Sequence, residues 1–254
     1  MSNDIFSRLN PGISDLAPYE PGKPIDDVAK EYGISNIIKL ASNENPLGAS
    51  PKALRSIADL DDSLHLYPDG NCTELKNAIA RHEKVSEESV ILGNGSNEVL
   101  ELIARAWLNS SRNAITSRHA FAVYKIVTQA AGAKLIEVEA KNWKFNLEAF
   151  HNYLNEETAV IFIANPNNPT GTYNTHKEIE DFLLNVPSNI LVVLDCAYYE
   201  YVQENDYVDV HQLLNKYENL IVTKSFSKIQ GLAAIRLGYG LANASLIESL
   251  NRID

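Results

Sequence analysis

The chain has 254 residues, of which 45% are hydrophobic, a content sufficient for one large α/β domain with a substantial core. Its 33 acidic and 22 basic residues give a formal net charge of −11. This balance argues against a nucleic-acid-binding surface, which needs clustered positive charge, but it does not exclude a small-molecule site that contains a few basic groups.

Signals for export, membrane insertion and metal binding are not found in the sequence. There is no run of about eighteen apolar residues that would span a bilayer, and the first residues lack the basic and apolar regions of a signal peptide. Two cysteines, Cys72 and Cys196, are too few for a disulfide framework, and the six histidines show no metal-ligand spacing. The sequence therefore predicts a cytoplasmic enzyme that needs no metal.

Residues 1–48 are rich in Pro and Gly and poor in strand pattern, which predicts an N-terminal arm that includes part of a small domain. Ser50 followed by Pro51 is typical of a helix start, because Ser caps and Pro fits the first helical position. Short apolar runs then alternate with helical patterns, which indicates an α/β fold with a mostly parallel seven-stranded sheet covered by helices. The predicted strands are Val90–Leu92, Asn113–Thr116, Lys134–Val138, Ala159–Ala164, Leu191–Leu194, Leu220–Thr223 and Leu237–Leu241.

Helical segments are predicted between these strands and after the last of them. Asn97–Leu108 is the clearest, since its apolar residues recur at helical spacing on one face. The last is Leu246–Asp254, a helix-like pattern that stops without a cap. We therefore expect residues 49–254 to form one large domain, and we expect the chain to be a fragment in which the small domain is incomplete.

Polar clusters follow four of the predicted strands, at the edge of the sheet where open α/β proteins bind ligands. The first cluster is Gly93-Asn94-Gly95-Ser96-Asn97-Glu98, between a strand and a helix. Glycines permit a tight turn there, and the unpaired N–H groups of a helix N-terminus attract an anion. An ordinary strand–helix turn has the same composition, and Glu98 replaces the last glycine of a dinucleotide fingerprint, so this cluster alone identifies no ligand.

The other three clusters carry more specific chemistry. The second is Asn165–Gly171 (NPNNPTG), whose prolines and glycine hold an irregular loop after a buried strand. The third is Asp195 at the end of a buried strand, where a carboxylate needs a cationic partner unless it caps a turn. The fourth is Ser225-Phe226-Ser227-Lys228, with Arg236 eight residues after the lysine. Together these groups can bind a phosphate and supply an amine nucleophile, although each also occurs in loops without a function.

The order and spacing of these clusters resemble fold-type I pyridoxal-phosphate aminotransferases, and within that group the histidinol-phosphate aminotransferases. Besides the clusters, the resemblance rests on Leu40–Gly48 (LASNENPLG), Tyr67–Gly70 (YPDG), Ala120–Tyr124 (AFAVY) and the stretch GLAAIRLGYG, so it covers nearly the whole chain. One set of motifs is highly specific: NPNNPTG, followed by Asp-x-x-Tyr, followed by Ser-x-Ser-Lys with the arginine. The resemblance implies a fold-type I transferase with pyridoxal 5′-phosphate as its cofactor.

The resemblance also implies a role for each residue of the site. Lys228 binds the cofactor as a Schiff base and moves protons, and Asp195 pairs with the protonated pyridine nitrogen. Asn168 and Tyr198 hydrogen-bond the phenolate oxygen. Phe121 stacks on the ring, although a phenylalanine at a helix start is also an ordinary core residue. The groups implied to bind the phosphate are the N–H groups of Gly95 and Ser96, the hydroxyls of Ser225 and Ser227, and Arg236.

Further implications concern the substrate and the partner subunit. The tyrosine of the Tyr-Pro-Asp motif, here Tyr67, reaches the phosphate of the neighbouring subunit in this family, which implies a homodimer. Tyr19 and Asn43 occupy family positions near the substrate, but either can equally be structural. The family continues into a C-terminal segment with a substrate-binding arginine, and we expect both to be missing here.

The implied activity is amino transfer between L-histidinol phosphate and 2-oxoglutarate in histidine biosynthesis, on small-molecule substrates without nucleic acid or membrane partners. Two alternatives remain open. A threonine-phosphate decarboxylase, or another fold-type I aminotransferase, uses the same cofactor residues. A regulatory domain that binds the cofactor without turnover is less favoured, because no basic, helix-turn-helix-like segment precedes the domain.

Overall fold

A computed structural model describes residues 8–17, 22–59 and 65–254 of the chain. Every predicted strand is present, and five of them extend one or two residues further at the carboxyl end than hydropathy indicates. The added residues are mostly polar or glycine, and they continue the ladder, as Asp195 does opposite Thr223. The strands are β1 (Val90–Asn94), β2 (Asn113–Ser117), β3 (Lys134–Val138), β4 (Thr158–Ala164), β5 (Leu191–Asp195), β6 (Leu220–Ser225) and β7 (Leu237–Ala242).

The strands form one sheet in the order β1-β7-β6-β5-β4-β2-β3. The adjacent pairs β6–β5, β5–β4, β4–β2 and β2–β3 are parallel. Only β7 runs in the opposite direction: it lies between β1 and β6 and pairs antiparallel with both. The predicted mostly parallel sheet is therefore confirmed. The central strands β4, β5 and β6 are buried along their whole length, which explains the unbroken apolar run that each of them contains.

Helices precede, separate and follow the strands. Their bounds are α1 (Ile25–Tyr32), α2 (Pro51–Ala58), α3 (Thr73–Glu83), α4 (Ser96–Trp107), α5 (Ala122–Ala130), α6 (Leu147–Phe150), α7 (His176–Leu183), α8 (Val210–Lys216) and α9 (Ala244–Asn251). The predicted start of α2 is confirmed, since the Ser50 side chain accepts a hydrogen bond from the N–H of Lys52. The predicted bounds Leu246–Asp254 were wrong for α9, because the Asn243 side chain caps the helix at an earlier residue.

The described part of the N-terminal segment contains α1 and no strand. The division between residues 48 and 49 stays a prediction. Several apolar side chains of this part of the chain are exposed, among them Leu40 and Leu47. No helix within the described residues has the length and apolar character needed to cross a membrane.

Candidate active site

A cavity of about 750 Å³ lies where the carboxyl ends of the parallel strands meet the N-terminal segment. Parallel strands present their carboxyl ends at one edge, so residues that follow β4, β5 and β6 converge there although they are far apart in the chain. Ten of the predicted site residues line this cavity: Asn43, Ser96, Phe121, Asn168, Asp195, Tyr198, Ser225, Ser227, Lys228 and Arg236.

Asp195 is the buried carboxylate of the site, with 5% of its surface exposed. Three neutral groups donate to it: the Tyr124 hydroxyl to Oδ2 at 2.8 Å, the Thr223 hydroxyl to Oδ1 at 3.1 Å and the Ala197 N–H to Oδ1 at 3.3 Å. Burial raises the pKa of the carboxyl above its ordinary value, and these hydrogen bonds offset only part of that rise. A cation placed against Asp195 would therefore be strongly stabilised.

Tyr124 is a site residue that the sequence analysis missed. Its side chain is fully buried, stacks on Phe162 with ring centroids 5.0 Å apart, and meets the edge of Phe121 at 5.8 Å. The signal was its position three residues after Phe121, one turn along α5, which puts both side chains on one face of the helix. Tyr124 thus fixes the orientation of Asp195 from within the core.

Lys228 supplies the amine. Its Nζ lies 3.5 Å from the backbone O of Asn43 and 5.4 Å from the centre of the Tyr198 ring. The pKa of this amine is lowered, mainly by burial and secondly by the positive charge of Arg236. A lowered pKa makes the neutral, nucleophilic form of the lysine easier to reach near neutral pH.

A positively charged cradle lies beside the lysine, at the N-terminus of α4. Nη1 of Arg236 donates to the Ser227 hydroxyl at 3.3 Å and to the Ala233 carbonyl at 3.0 Å. Gly95 has a φ of +74°, and a Cβ atom on it would lie 2.6 Å from Nη2 of Arg236, so only glycine fits. Because α4 begins at Ser96, its unpaired N–H groups and its dipole add to the arginine charge. This arrangement suits an anion such as a phosphate.

The three asparagines of the NPNNPTG loop have different roles. Asn165 and Asn174 bind each other, side chain to backbone, at 3.0 and 2.7 Å, which closes the loop. Asn167 turns away to donate to the His119 carbonyl. Of these three asparagines, Asn168 is the one that lines the cavity.

Three predicted site residues, Tyr67, Tyr19 and Gly95, are not among those that line the cavity. Tyr67 is fully exposed, and Tyr19 lies outside the described residues. Gly95 lies next to Arg236, which does line the cavity. The cavity also contains Glu44 and Asn97, which the sequence analysis did not single out.

Comparison with known proteins places this chain in a family. A model of the family "Aminotransferase class I and II" matches residues 35–254. The chain is 51% identical, over its whole length, to histidinol-phosphate aminotransferase 2 of Pseudomonas fluorescens Pf-5, of which it covers 69%. It is 48% identical over 99% of its length to histidinol-phosphate aminotransferase 2 of Pseudomonas aeruginosa PAO1, again covering 69% of that protein.

A solved structure supports the same placement. The histidinol-phosphate aminotransferase of Sinorhizobium meliloti, crystallised in complex with pyridoxal-5′-phosphate, superimposes with a TM-score of 0.87 at 26% identity. The superposition covers 98% of this chain and 67% of that one. Both the predicted fold class and the predicted resemblance are thereby confirmed. The chain belongs to the aminotransferase class I and II family, in the branch that contains the histidinol-phosphate aminotransferases.

Proposed function

We propose that the protein transfers the amino group of L-histidinol phosphate to 2-oxoglutarate, yielding imidazole-acetol phosphate and L-glutamate, in the biosynthesis of histidine. As a member of its family it is an enzyme that depends on pyridoxal 5′-phosphate. The observation that carries the substrate assignment is the high identity, along the entire chain, to relatives named for that substrate.

The residues of the cavity fit this cofactor. The buried Asp195 carboxylate, which receives only neutral hydrogen bonds from Tyr124, Thr223 and Ala197, suits a protonated pyridine nitrogen. The cradle around Arg236 suits the phosphate. The chemistry that pyridoxal phosphate supplies when bound is an aldehyde carbon open to amines and a ring that accepts negative charge.

Lys228 has two tasks in this proposal. Its amine would hold the cofactor through a Schiff base to the aldehyde carbon, formed with loss of water, and when free it would move a proton between the substrate α-carbon and C4′ of the cofactor. The lowered pKa of the amine matches the second task, because a base works best with a pKa near the working pH. Asp195 would keep the pyridine nitrogen protonated.

The remaining cavity residues hold the cofactor in place. Asn168 and Tyr198 would hydrogen-bond the phenolate oxygen, and Phe121 would pack on the face of the ring. The phosphate would be held by the N–H groups of Gly95 and Ser96, the hydroxyls of Ser225 and Ser227, and the Arg236 guanidinium, which lie together at this end of the cavity. Tyr19 and Asn43 are proposed to lie near the substrate. We further propose that the protein is cytoplasmic.

A substrate assay tests the proposed function. The protein, loaded with pyridoxal phosphate, is expected to form L-glutamate only when L-histidinol phosphate and 2-oxoglutarate are both present. L-threonine phosphate serves as the comparison substrate, with release of carbon dioxide as its readout. Carbon dioxide release from L-threonine phosphate without glutamate would make the protein a decarboxylase, and cofactor binding with no turnover on any substrate would favour a regulatory domain.

We propose that the enzyme is a homodimer in which Tyr67 completes the phosphate site of the partner subunit. The full exposure of this aromatic side chain, on a segment rich in exposed apolar residues, supports an interface there. In a twofold dimer, each active site would then combine Lys228 of one subunit with Tyr67 of the other.

Subunit mixing distinguishes this arrangement from a same-subunit role. Inactive Lys228→Ala protein is mixed with an impaired Tyr67→Phe protein, and exchange is verified by native mass spectrometry. If Tyr67 acts across the interface, each mixed dimer has one site with both defects and one intact site, so activity returns to about half of wild type per mixed dimer. If both residues serve the same subunit, neither site of a mixed dimer is intact, and the absence of recovery would contradict the proposal.

A further inference from the structure

Residues 42–49, called the strap from here on, contribute to the cavity and pack on the loop after β6. Nδ2 of Asn45 donates to the backbone O of Ile229 at 2.8 Å. A Cβ atom on Gly231 would collide with the backbone O of Gly48, so no side chain fits at that position. The strap is therefore held against the segment that carries Lys228.

The backbone of the strap is strained where it meets the cavity. Ser42 has a φ of +73° and Asn43 a φ of +48°, in the left-handed region that residues other than glycine seldom adopt. Two consecutive residues in this region persist only where surrounding contacts hold them, and such strain is frequent at functional sites. The contacts of Asn43 indicate which function the strain serves here.

Asn43 touches two groups of the proposed active site. Its Nδ2 donates to the Tyr198 hydroxyl oxygen at 2.9 Å, and its backbone O lies 3.5 Å from Nζ of Lys228. These contacts join residues that are 155 and 185 positions apart in the chain. A surface loop without a role in the active site would not require its strained residue, Asn43, to contact both Tyr198 and Lys228.

We propose that Asn43 is a positioning residue, whose amide N–H occupies a lone pair of the Tyr198 hydroxyl oxygen and so orients that hydroxyl as a donor toward the phenolate oxygen of the cofactor. A phenol oxygen that accepts from an amide directs its own proton to another group. A hydrogen bond donated to the phenolate withdraws negative charge from it. The nitrogen that joins Lys228 to the cofactor then holds its proton less tightly. This inference rests on the proposed function, because it concerns the bound cofactor.

The test is a pH titration of the visible absorbance of the protein loaded with pyridoxal phosphate. In Asn43→Ala and in Asn43→Gly, the midpoint is expected to rise by about half to one pH unit, since a hydrogen bond of ordinary strength has been lost. Glycine adopts a positive φ without strain, so an equal shift in both variants assigns the effect to the amide rather than to the backbone. Asn43→Asp should raise the midpoint further, because a carboxylate accepts the tyrosine proton and adds negative charge.

Two controls separate positioning from a general loosening of the strap. Asn45→Ala removes the hydrogen bond from the strap to the backbone O of Ile229 and is expected to leave the midpoint unchanged. In a Tyr198→Phe background, adding Asn43→Ala is expected to cause no further shift. The melting temperature of each variant without cofactor verifies that it is folded.

The outcomes distinguish this inference from the proposed function. A visible cofactor band whose midpoint is unchanged in every Asn43 variant would overturn the inference alone. An equal shift in Asn45→Ala, or an undiminished shift in the Tyr198→Phe background, would also overturn it. A wild-type protein without any cofactor band would overturn the proposed function and this inference with it.

Discussion

Replacing Lys228 with alanine is expected to abolish covalent attachment of pyridoxal phosphate and to lower the rate of amino transfer by about ten-thousandfold. The change removes the nucleophile and the group that moves the proton, and nearby side chains cannot replace either. Lys224, four residues earlier on β6, is buried in an ion pair with Glu83, with Nζ 2.9 Å from Oε1. Lys224 cannot serve as a substitute, because breaking that pair would leave the buried Glu83 carboxylate without its lysine partner.

The measurement is reduction of the loaded protein with borohydride, digestion and mass spectrometry of the modified peptide. The label is expected on Lys228 alone, and Lys228→Ala protein is expected to carry none. Lys125→Ala is the matched control, since this lysine is exposed on α5 and its loss should change neither label nor rate. A label on any other lysine of the wild-type protein would refute the assignment.

Replacing Asp195 with asparagine is expected to lower the rate of amino transfer on the order of a thousandfold, which corresponds to about 4 kcal/mol in the transition state. The neutral amide cannot keep the pyridine nitrogen protonated, so the ring accepts negative charge less readily. The fold should survive. Asparagine has the same shape, and its Oδ1 can still accept from Thr223 and Ala197, while its Nδ2 would donate to the Tyr124 hydroxyl, which can also accept. Removing a buried charge whose pKa is raised by burial also removes a desolvation cost.

Steady-state rates and thermal melting curves test this expectation together. The melting temperature without cofactor should be unchanged or higher in Asp195→Asn, while the rate falls. Asp181→Asn is the control, because that carboxylate is on the surface of α7 in an exposed pair with Lys177. Turnover close to wild type in Asp195→Asn would mean that the pyridine nitrogen has a different partner.

The sequence by itself determined the strands and the residues that follow them. Buried parallel strands are apolar on both faces, so β4, β5 and β6 stand out in the hydropathy pattern without any tertiary information. Because ligands bind at the carboxyl edge of such a sheet, the polar residues after these strands could be assigned to one site. Asp195 and Lys228 were found in this way, and the spacing of the motifs identified the family.

Only the tertiary structure decided how distant parts of the chain meet. The reversed strand β7 lies between β1 and β6, a pairing that leaves no local signal because hydropathy does not record strand direction. Tyr124 is 71 residues from Asp195 and Asn43 is 155 residues from Tyr198, so neither hydrogen bond follows from spacing along the chain. Contacts of this kind depend on which strands and loops become neighbours in the folded sheet, and that arrangement is set by the packing of the whole domain.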